Sequence, residues 1–339
     1  MTRPRAVFAM NPRLVPALFD EDALARLRRA ADIDTEVVVG ELDSARSRQA
    51  LAGAEILVAG WEAPVVRAAH LPYTERLRAV VYAGGVAATC LEDPAAFADR
   101  GVVAANARAA NSGPVAEYTL AMILLANKRV LPGERRYRAS RALPDHVATH
   151  AGQGNYRQTV GIVGASTVGR AVLALLRPFD LDVLLYDPTL TPEQAAGLGA
   201  RPVPLDELMA SSRVVSLHQP LTDATRGQID AGRLALLPDG ATLVNTARGA
   251  VVDQDALIAE LRTGRIDAVL DVTDPEPPAP DSELWTLENV VLTPHLAGSL
   301  GGELHRIGDA VTDEVERFAE GRPFAHPEDL AASARTRVR

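Results

Sequence analysis

Thr159-Val-Gly-Ile-Val-Gly-Ala-Ser-Thr-Val-Gly169, followed by Arg170-Ala-Val-Leu-Ala-Leu-Leu-Arg177, decides the fold. A β-rich run enters a glycine turn and leaves as a helical stretch. Such a turn aims unpaired backbone N–H groups and the positive end of a helix at an anion, so small residues are needed where a pyrophosphate approaches. Gly164, Ser166, Thr167, Val168 and Gly169 are therefore the expected dinucleotide contacts. Ser166 stands where the G-x-G-x-x-G pattern has its middle glycine, and it is expected to crowd a diphosphate slightly unless its hydroxyl bonds to it. Asp187 closes the next β-rich run, Val183–Tyr186, where a carboxylate accepts ribose hydroxyls and repels a 2′-phosphate. With Pro188 and Thr189 following in place of arginine, NAD is expected rather than NADP. The same residues can be read as a nucleophile elbow, since Ser166, Glu276 and His295 fall in the chain order of a serine hydrolase. G-x-S-x-G needs glycine where Val168 stands, so the hydrolase is a distant alternative.

Around this unit, apolar runs alternate with helical patterns throughout the chain, the rhythm of parallel sheets built from βαβ units. Further runs at Val214–His218, Thr242–Thr246, Ala268–Val272 and Val290–Thr293 extend the sheet begun at Thr159. An earlier series, Ala6–Met10, Thr35–Val39, Ile56–Ala59, Ala79–Tyr82 and Val102–Ala105, predicts a smaller, flavodoxin-like sheet. A helix is expected from Pro114 to Lys128, then a polar, irregular connection from Arg135 to Gly154. Leu304, Ile307, Val311, Val315 and Phe318 recur at helical spacing, and this helix is expected to return to the first domain. The charges from Glu303 to Glu320 read as its solvated face. The small, basic tail 331–339 reads as flexible.

The 339 residues are 47% hydrophobic, which at about 150 residues per domain suggests two cored domains. No stretch reaches the roughly 18 apolar residues of a membrane span. The opening residues reach Asn11-Pro12 after only a brief apolar run, so no signal peptide is read and a cytoplasmic protein is expected. A formal charge of −9 argues against nucleic acid as a partner. Cys90 is the one cysteine, which excludes an intrachain disulfide and cysteine-based metal centres. Lys128 is the one lysine and has no visible activating neighbour, which argues against Schiff-base chemistry. His146 and His150 have the i, i+4 spacing of a metal pair but no third ligand, and no metal is expected.

Arg248, Glu276 and His295 lie at or just beyond strand ends of the second series, the edge on which a doubly wound fold gathers its ligands. Oxidation of a 2-hydroxy acid needs a base for the hydroxyl proton as hydride departs, and histidine is tuned for that near neutrality. A carboxylate on the other ring nitrogen orients the imidazole, and an arginine fork binds the substrate carboxylate and polarises the carbonyl.

The runs Asn106-Ala-Arg-Ala-Ala-Asn111, Val115-Ala-Glu117, Val214-Val-Ser-Leu-His-Gln-Pro-Leu-Thr222, Asn245-Thr-Ala-Arg-Gly249, Leu270-Asp-Val272 and Asn289-Val-Val-Leu-Thr-Pro-His295 together resemble the D-isomer-specific 2-hydroxyacid dehydrogenase family, which includes phosphoglycerate dehydrogenase and glyoxylate/hydroxypyruvate reductase. The resemblance implies Arg248 as substrate anchor, Glu276 as histidine partner and His295 as acid/base. It extends the cofactor contacts to His218, Pro220, Thr225, Thr246, Ala247, Asp271 and His295, with Asp271 on the nicotinamide carboxamide. Gly84, Gly85, Val86 and Asn111 become substrate contacts with Arg248 and His295. It also implies two Rossmann-like or flavodoxin-like α/β domains, with an NAD-binding domain (112–298) inserted in a discontinuous substrate domain (1–111 and 299–330), and a homodimer through the cofactor domain. Thr273-Asp274 departs from the family's usual Phe-Glu or Phe-Pro. Glu276 argues against a formate dehydrogenase, and the absence of lysine from Ala79–Cys90 against a phosphite dehydrogenase. The expectation is an NAD-dependent oxidoreductase acting on a small 2-hydroxy or 2-keto acid. A non-catalytic, dinucleotide-sensing corepressor of the same fold is the alternative.

Overall fold

A computed structural model describes residues 3–335. The chain divides into two compact units, one built from the chain up to Asn111 and from Ser299 onward, the other from Ser112–Gly298. Among the described residues no helix is long and apolar enough to cross a membrane.

The discontinuous unit carries parallel strands β1 (Ala6–Ala9), β2 (Ile56–Gly60), β3 (Ala79–Ala83) and β4 (Val103–Asn106) in that spatial order, and Pro327–Glu328 adds an antiparallel edge beside β4. The first three strands are buried along their whole length, as expected of apolar runs in a sheet covered on both faces. The helix Leu304–Ala319 lays Ile307, Val311 and Val315 into this unit's core. Gly308 permits the approach, because a Cβ there would overlap the Leu18 carbonyl.

Three expectations are corrected here. Thr35–Val39 does not form a strand: Asp34 takes the Glu36 and Val37 amides into a turn, and a single bridge, Phe8 to Val38, joins the segment to β1. The stretch from Arg135 is not an irregular connection throughout, because Val130–Ser140 and His146–Thr149 are helical. Pro132 sits in the first turn of the former, where its missing N–H costs nothing, and no residue of that helix is buried, so no apolar stripe announces it. The expected flexible tail instead opens as a helix, Leu330–Arg335, pinned by the buried Leu330, while 336–339 lie outside the described residues.

The continuous unit is a seven-stranded, all-parallel sheet. Its strands are β5 (Thr159–Val163), β6 (Asp182–Tyr186), β7 (Arg201–Pro202), β8 (Val214–Leu217), β9 (Thr242–Asn245), β10 (Asp267–Leu270) and β11 (Val290–Leu292), arranged in the order β11-β10-β9-β8-β5-β6-β7. The order reverses between β5 and β8, creating a crevice at the strands' carboxyl ends. The helix Arg108–Asn127 starts in the first unit and carries its chain into the second, where Ala116 and Ile123 are buried against β5.

Candidate active site

The Gly164 turn opens directly from β5 at that crevice. Gly164 has φ +93°, and a Cβ there would come within 2.6 Å of the Gln219 amide nitrogen. A Cβ at Gly169 would overlap the Gly164 carbonyl, so both glycines are required by close backbone approach. Ser166 needs no such freedom. At φ −63° it is the N-cap of the helix Thr167–Leu176, and its Oγ accepts the Gly169 amide at 3.3 Å. The serine therefore fits as a cap, and its hydroxyl has no imidazole partner among the described residues. The Thr167 and Val168 amides head the helix without intrahelical acceptors, in the manner of a pyrophosphate cradle.

Asp187 closes the same turn. One oxygen accepts the Ala165 amide at 2.7 Å, and the other accepts the Thr189 amide and hydroxyl at 2.8 and 2.6 Å. Burial opposes ionisation, but these donors and the Arg170 charge outweigh it and hold the carboxyl below its usual range. Behind the turn, the fully buried His218 meets Ser216 Oγ at 2.9 Å through Nε2, and burial pushes its pKa down to about 3. Its Nδ1 and the neighbouring Gln219 Oε1 have no hydrogen-bond partner among the described residues, leaving polar capacity beside the cradle. The turn thus fits a dinucleotide. Thr225 closes the Pro220–Thr225 loop by donating to the Pro220 carbonyl and accepting the Thr222 amide, and Thr246 Oγ1 meets Thr119 at 3.0 Å.

The catalytic candidates follow β9, β10 and β11. His295 Nδ1 lies 2.6 Å from Glu276 Oε1; a carboxylate can only accept, so Nδ1 carries the proton and Nε2 is left for chemistry. Both side chains are about half exposed, at 52% and 43%. His295 has φ +52°, a conformation that strains a non-glycine residue and persists only where its surroundings dictate it. Asp271 supplies that constraint. Its backbone carbonyl accepts the His295 amide at 3.0 Å, and its buried carboxylate accepts Leu296 N at 2.8 Å, Ala297 N at 3.0 Å and Thr293 Oγ1 at 2.6 Å. Tyr118 Oη adds a contact of 3.0 Å to the same threonine hydroxyl.

Arg248 stands in the turn after β9, where Asn245 accepts the Ala247 amide and donates to the Arg248 carbonyl. Its guanidinium donates to the Ala247 carbonyl at 2.6 Å. A Cβ at Gly249 would overlap the Thr273 carbonyl, so the Arg248 turn packs on the peptide that leads to Glu276.

Gly84, Gly85, Val86 and Asn111 belong to the other unit. Arg108 Nε donates to the Gly85 carbonyl at 3.0 Å, and Glu328 binds the adjoining Ala87 and Ala88 amides at 2.7 and 3.0 Å. Asn111 Oδ1 accepts the Ser299 amide at 2.8 Å, fastening the two ends at which that unit is interrupted. Sequence reasoning missed Tyr118, Thr293, Arg108 and Glu328 as supporting groups. Thr293 carried a weak signal, two residues before His295; the other three depend on contacts with distant segments. His146 and His150 stack 5.6 Å apart, and among the described residues no group of three His, Cys, Asp or Glu could hold a metal ion.

A family model described as D-isomer specific 2-hydroxyacid dehydrogenase, NAD binding domain, matches residues 120–297. The chain is 34% identical over 316 residues to a D-3-phosphoglycerate dehydrogenase of Mycobacterium leprae (strain TN), covering 91% of this chain and 57% of that protein. It is 36% identical over 224 residues to a glyoxylate reductase of Korarchaeum cryptofilum (strain OPF8), covering 66% and 68%. The chain spans about half the length of the D-3-phosphoglycerate dehydrogenases first matched. Among solved structures, the D-mandelate dehydrogenase of Rhodotorula graminis aligns with a TM-score of 0.77 at 26% identity, covering 96% of this chain and 98% of that one.

Proposed function

The chain belongs to the D-isomer-specific 2-hydroxyacid dehydrogenase family, with an NAD-binding domain, and from that premise we propose that it interconverts a small D-2-hydroxy acid and its 2-keto acid. Bound NAD supplies the acceptor for the hydride leaving C2. His295 Nε2 takes the hydroxyl proton as the carbonyl forms, and returns it in the reverse direction. Glu276 keeps the proton of Nδ1 in place and stabilises the imidazolium that results. Arg248 binds the substrate carboxylate and polarises the carbonyl. Asp271 acts first on the His295 loop through the three hydrogen bonds of its carboxylate, and its remaining acceptor capacity would serve the carboxamide of a bound nicotinamide. The 2.6 Å pairing of His295 with Glu276 is the observation that carries this reading.

The test is NADH oxidation with a panel of 2-keto acids by the full chain and by His295→Gln. Turnover should fall by about 10²–10⁴-fold in the variant while NADH affinity stays within about twofold. Tight NADH binding with no oxidation for any keto acid would instead favour the dinucleotide-sensing, non-catalytic reading. Unchanged turnover in His295→Gln would remove His295 from the acid/base role. Pairing of two copies through the cofactor unit is part of the proposal, supported by exposed Val130, Tyr137, Leu143, Val147 and Tyr156; sedimentation of the native chain as a monomer would count against it.

A further inference from the structure

The sheet of the continuous unit has a second edge, opposite the Gly164 turn, and cations gather there. Arg213 immediately precedes β8, Gly240 and Arg265 stand two residues before β9 and β10, and Arg129 follows the helix Arg108–Asn127. With Arg136 and Gln153 these residues line an open depression of about 530 Å³. Its described lining sets four guanidinium groups against one carboxylate, that of Asp239.

The charges are held close together. Gly240 has φ +75°, and a Cβ there would overlap Arg129 Nη1 and lie within 3.2 Å of both Arg213 Nη atoms, so the two guanidinium groups converge on one α-carbon. Arg129 is partly neutralised by Asp267, 2.8 Å away, and donates to the Gly240 carbonyl at 2.9 Å. Among the described residues Arg213 finds only the Asp239 carbonyl as a hydrogen-bond acceptor, at 2.9 Å, and neither its Nε nor that of Arg129 has a hydrogen-bond partner. Burial and the neighbouring Arg129 charge push the Arg213 pKa down against the pull of Asp267, the carboxylate that also pairs with Arg129. Arg265 is committed to Glu260 and to the carbonyls of Leu234 and Leu237. Arg136, exposed at the rim, has no hydrogen-bond or ion-pair partner among the described residues. This is a local excess of positive charge on a chain whose formal charge is −9.

We propose that this depression is an oxyanion site, taking phosphate or a phosphomonoester between the Arg213 and Arg136 guanidinium groups, with Arg129 and Gln153 beside them. Planar guanidinium forks match tetrahedral oxyanions, and an anion relieves the repulsion between Arg129 and Arg213. The strands run parallel, so this edge and the dinucleotide cradle are separate, and both can be filled at once.

Calorimetric titration of inorganic phosphate into the full chain tests this, with NADH present in excess to block the Gly164 cradle and ionic strength held constant. One phosphate per chain should bind saturably, and Arg213→Gln and Arg136→Gln should each weaken it by about tenfold or more with NADH affinity unchanged. Arg136 is exposed, so its variant keeps the test open if Arg213→Gln fails to fold. A parallel titration with glycerol 3-phosphate separates the sources: equal affinity points to free phosphate, tighter binding to a phosphomonoester. No saturable uptake, or uptake equal in Arg136→Gln and the native chain, overturns the proposal. So does phosphate uptake that appears only when self-associated chains are dissociated, since a second copy would then cover the depression.

Discussion

Two loops at the carboxyl edge of one sheet are built on opposite principles. The Gly164 turn is organised by backbone: two glycines exist because side chains there would strike the main chain, and a serine caps the helix that follows. The 293–297 loop is organised by one buried side chain, with Asp271 collecting two amides and a hydroxyl while His295 is held at φ +52°. The first design presents fixed dipoles to a diphosphate, and the second holds one titratable group in a strained orientation. Damage to the loop should therefore be severe and centred on a single residue, whereas damage to the turn should be graded.

Asp271→Ala is the sharpest way to break the loop. It strips the acceptor from Thr293, Leu296 and Ala297 and leaves buried donors unsatisfied, which should cost about 3 kcal/mol of stability. Activity should fall further than stability alone explains, because His295 loses the constraint that keeps it against Glu276. Urea unfolding beside turnover measures both; a variant with native stability and native turnover would show that the loop holds itself.

The turn is open to a gentler attack through pH. His218 packs behind it, its Cβ 3.2 Å from where a Gly169 Cβ would stand. Burial holds the folded imidazole neutral down to about 3, against an ordinary value of 6.5. Between those values the unfolded chain binds the extra proton, so stability falls as pH drops below about 6.5 and this contribution levels off near 3. From pH 7 to pH 5 the loss from this group should be about 2 kcal/mol. His218→Gln should flatten that part of the urea-midpoint profile, and an equally steep profile in the variant would mean that other groups carry it.

The same contrast explains what could be read in advance. Backbone-determined features were legible: the glycine turn, the alternating parallel strands and the helix carrying Ile307, Val311 and Val315 each leave a periodic or positional mark. Arg248, Glu276 and His295 could be singled out as candidates because chemistry restricts which residues can do the proposed work, and the fold brings His295 and Glu276 to 2.6 Å. Features set by distant partners were not. Nor was the local turn at Asp34, which takes Thr35–Val39 out of the sheet with two hydrogen bonds that apolar content does not reveal. Asp271 reads in sequence as a ligand contact, and its work on the loop emerges only when Thr293, Leu296 and Ala297 are folded around it.

Ser166 is where the smallest effect separates the two designs. By the glycine pattern it is a defect; in the fold it has ordinary φ and caps the helix through Gly169 N. Ser166→Ala should therefore cost about 1 kcal/mol of stability and Ser166→Gly only a few tenths, because glycine is itself an acceptable N-cap. NADH affinity should change little in either variant, since the cradle is made of main-chain amides. If Ser166→Gly instead tightened NADH binding by about tenfold, the hydroxymethyl group would be crowding the diphosphate, and the turn would depend on a side chain as the loop does.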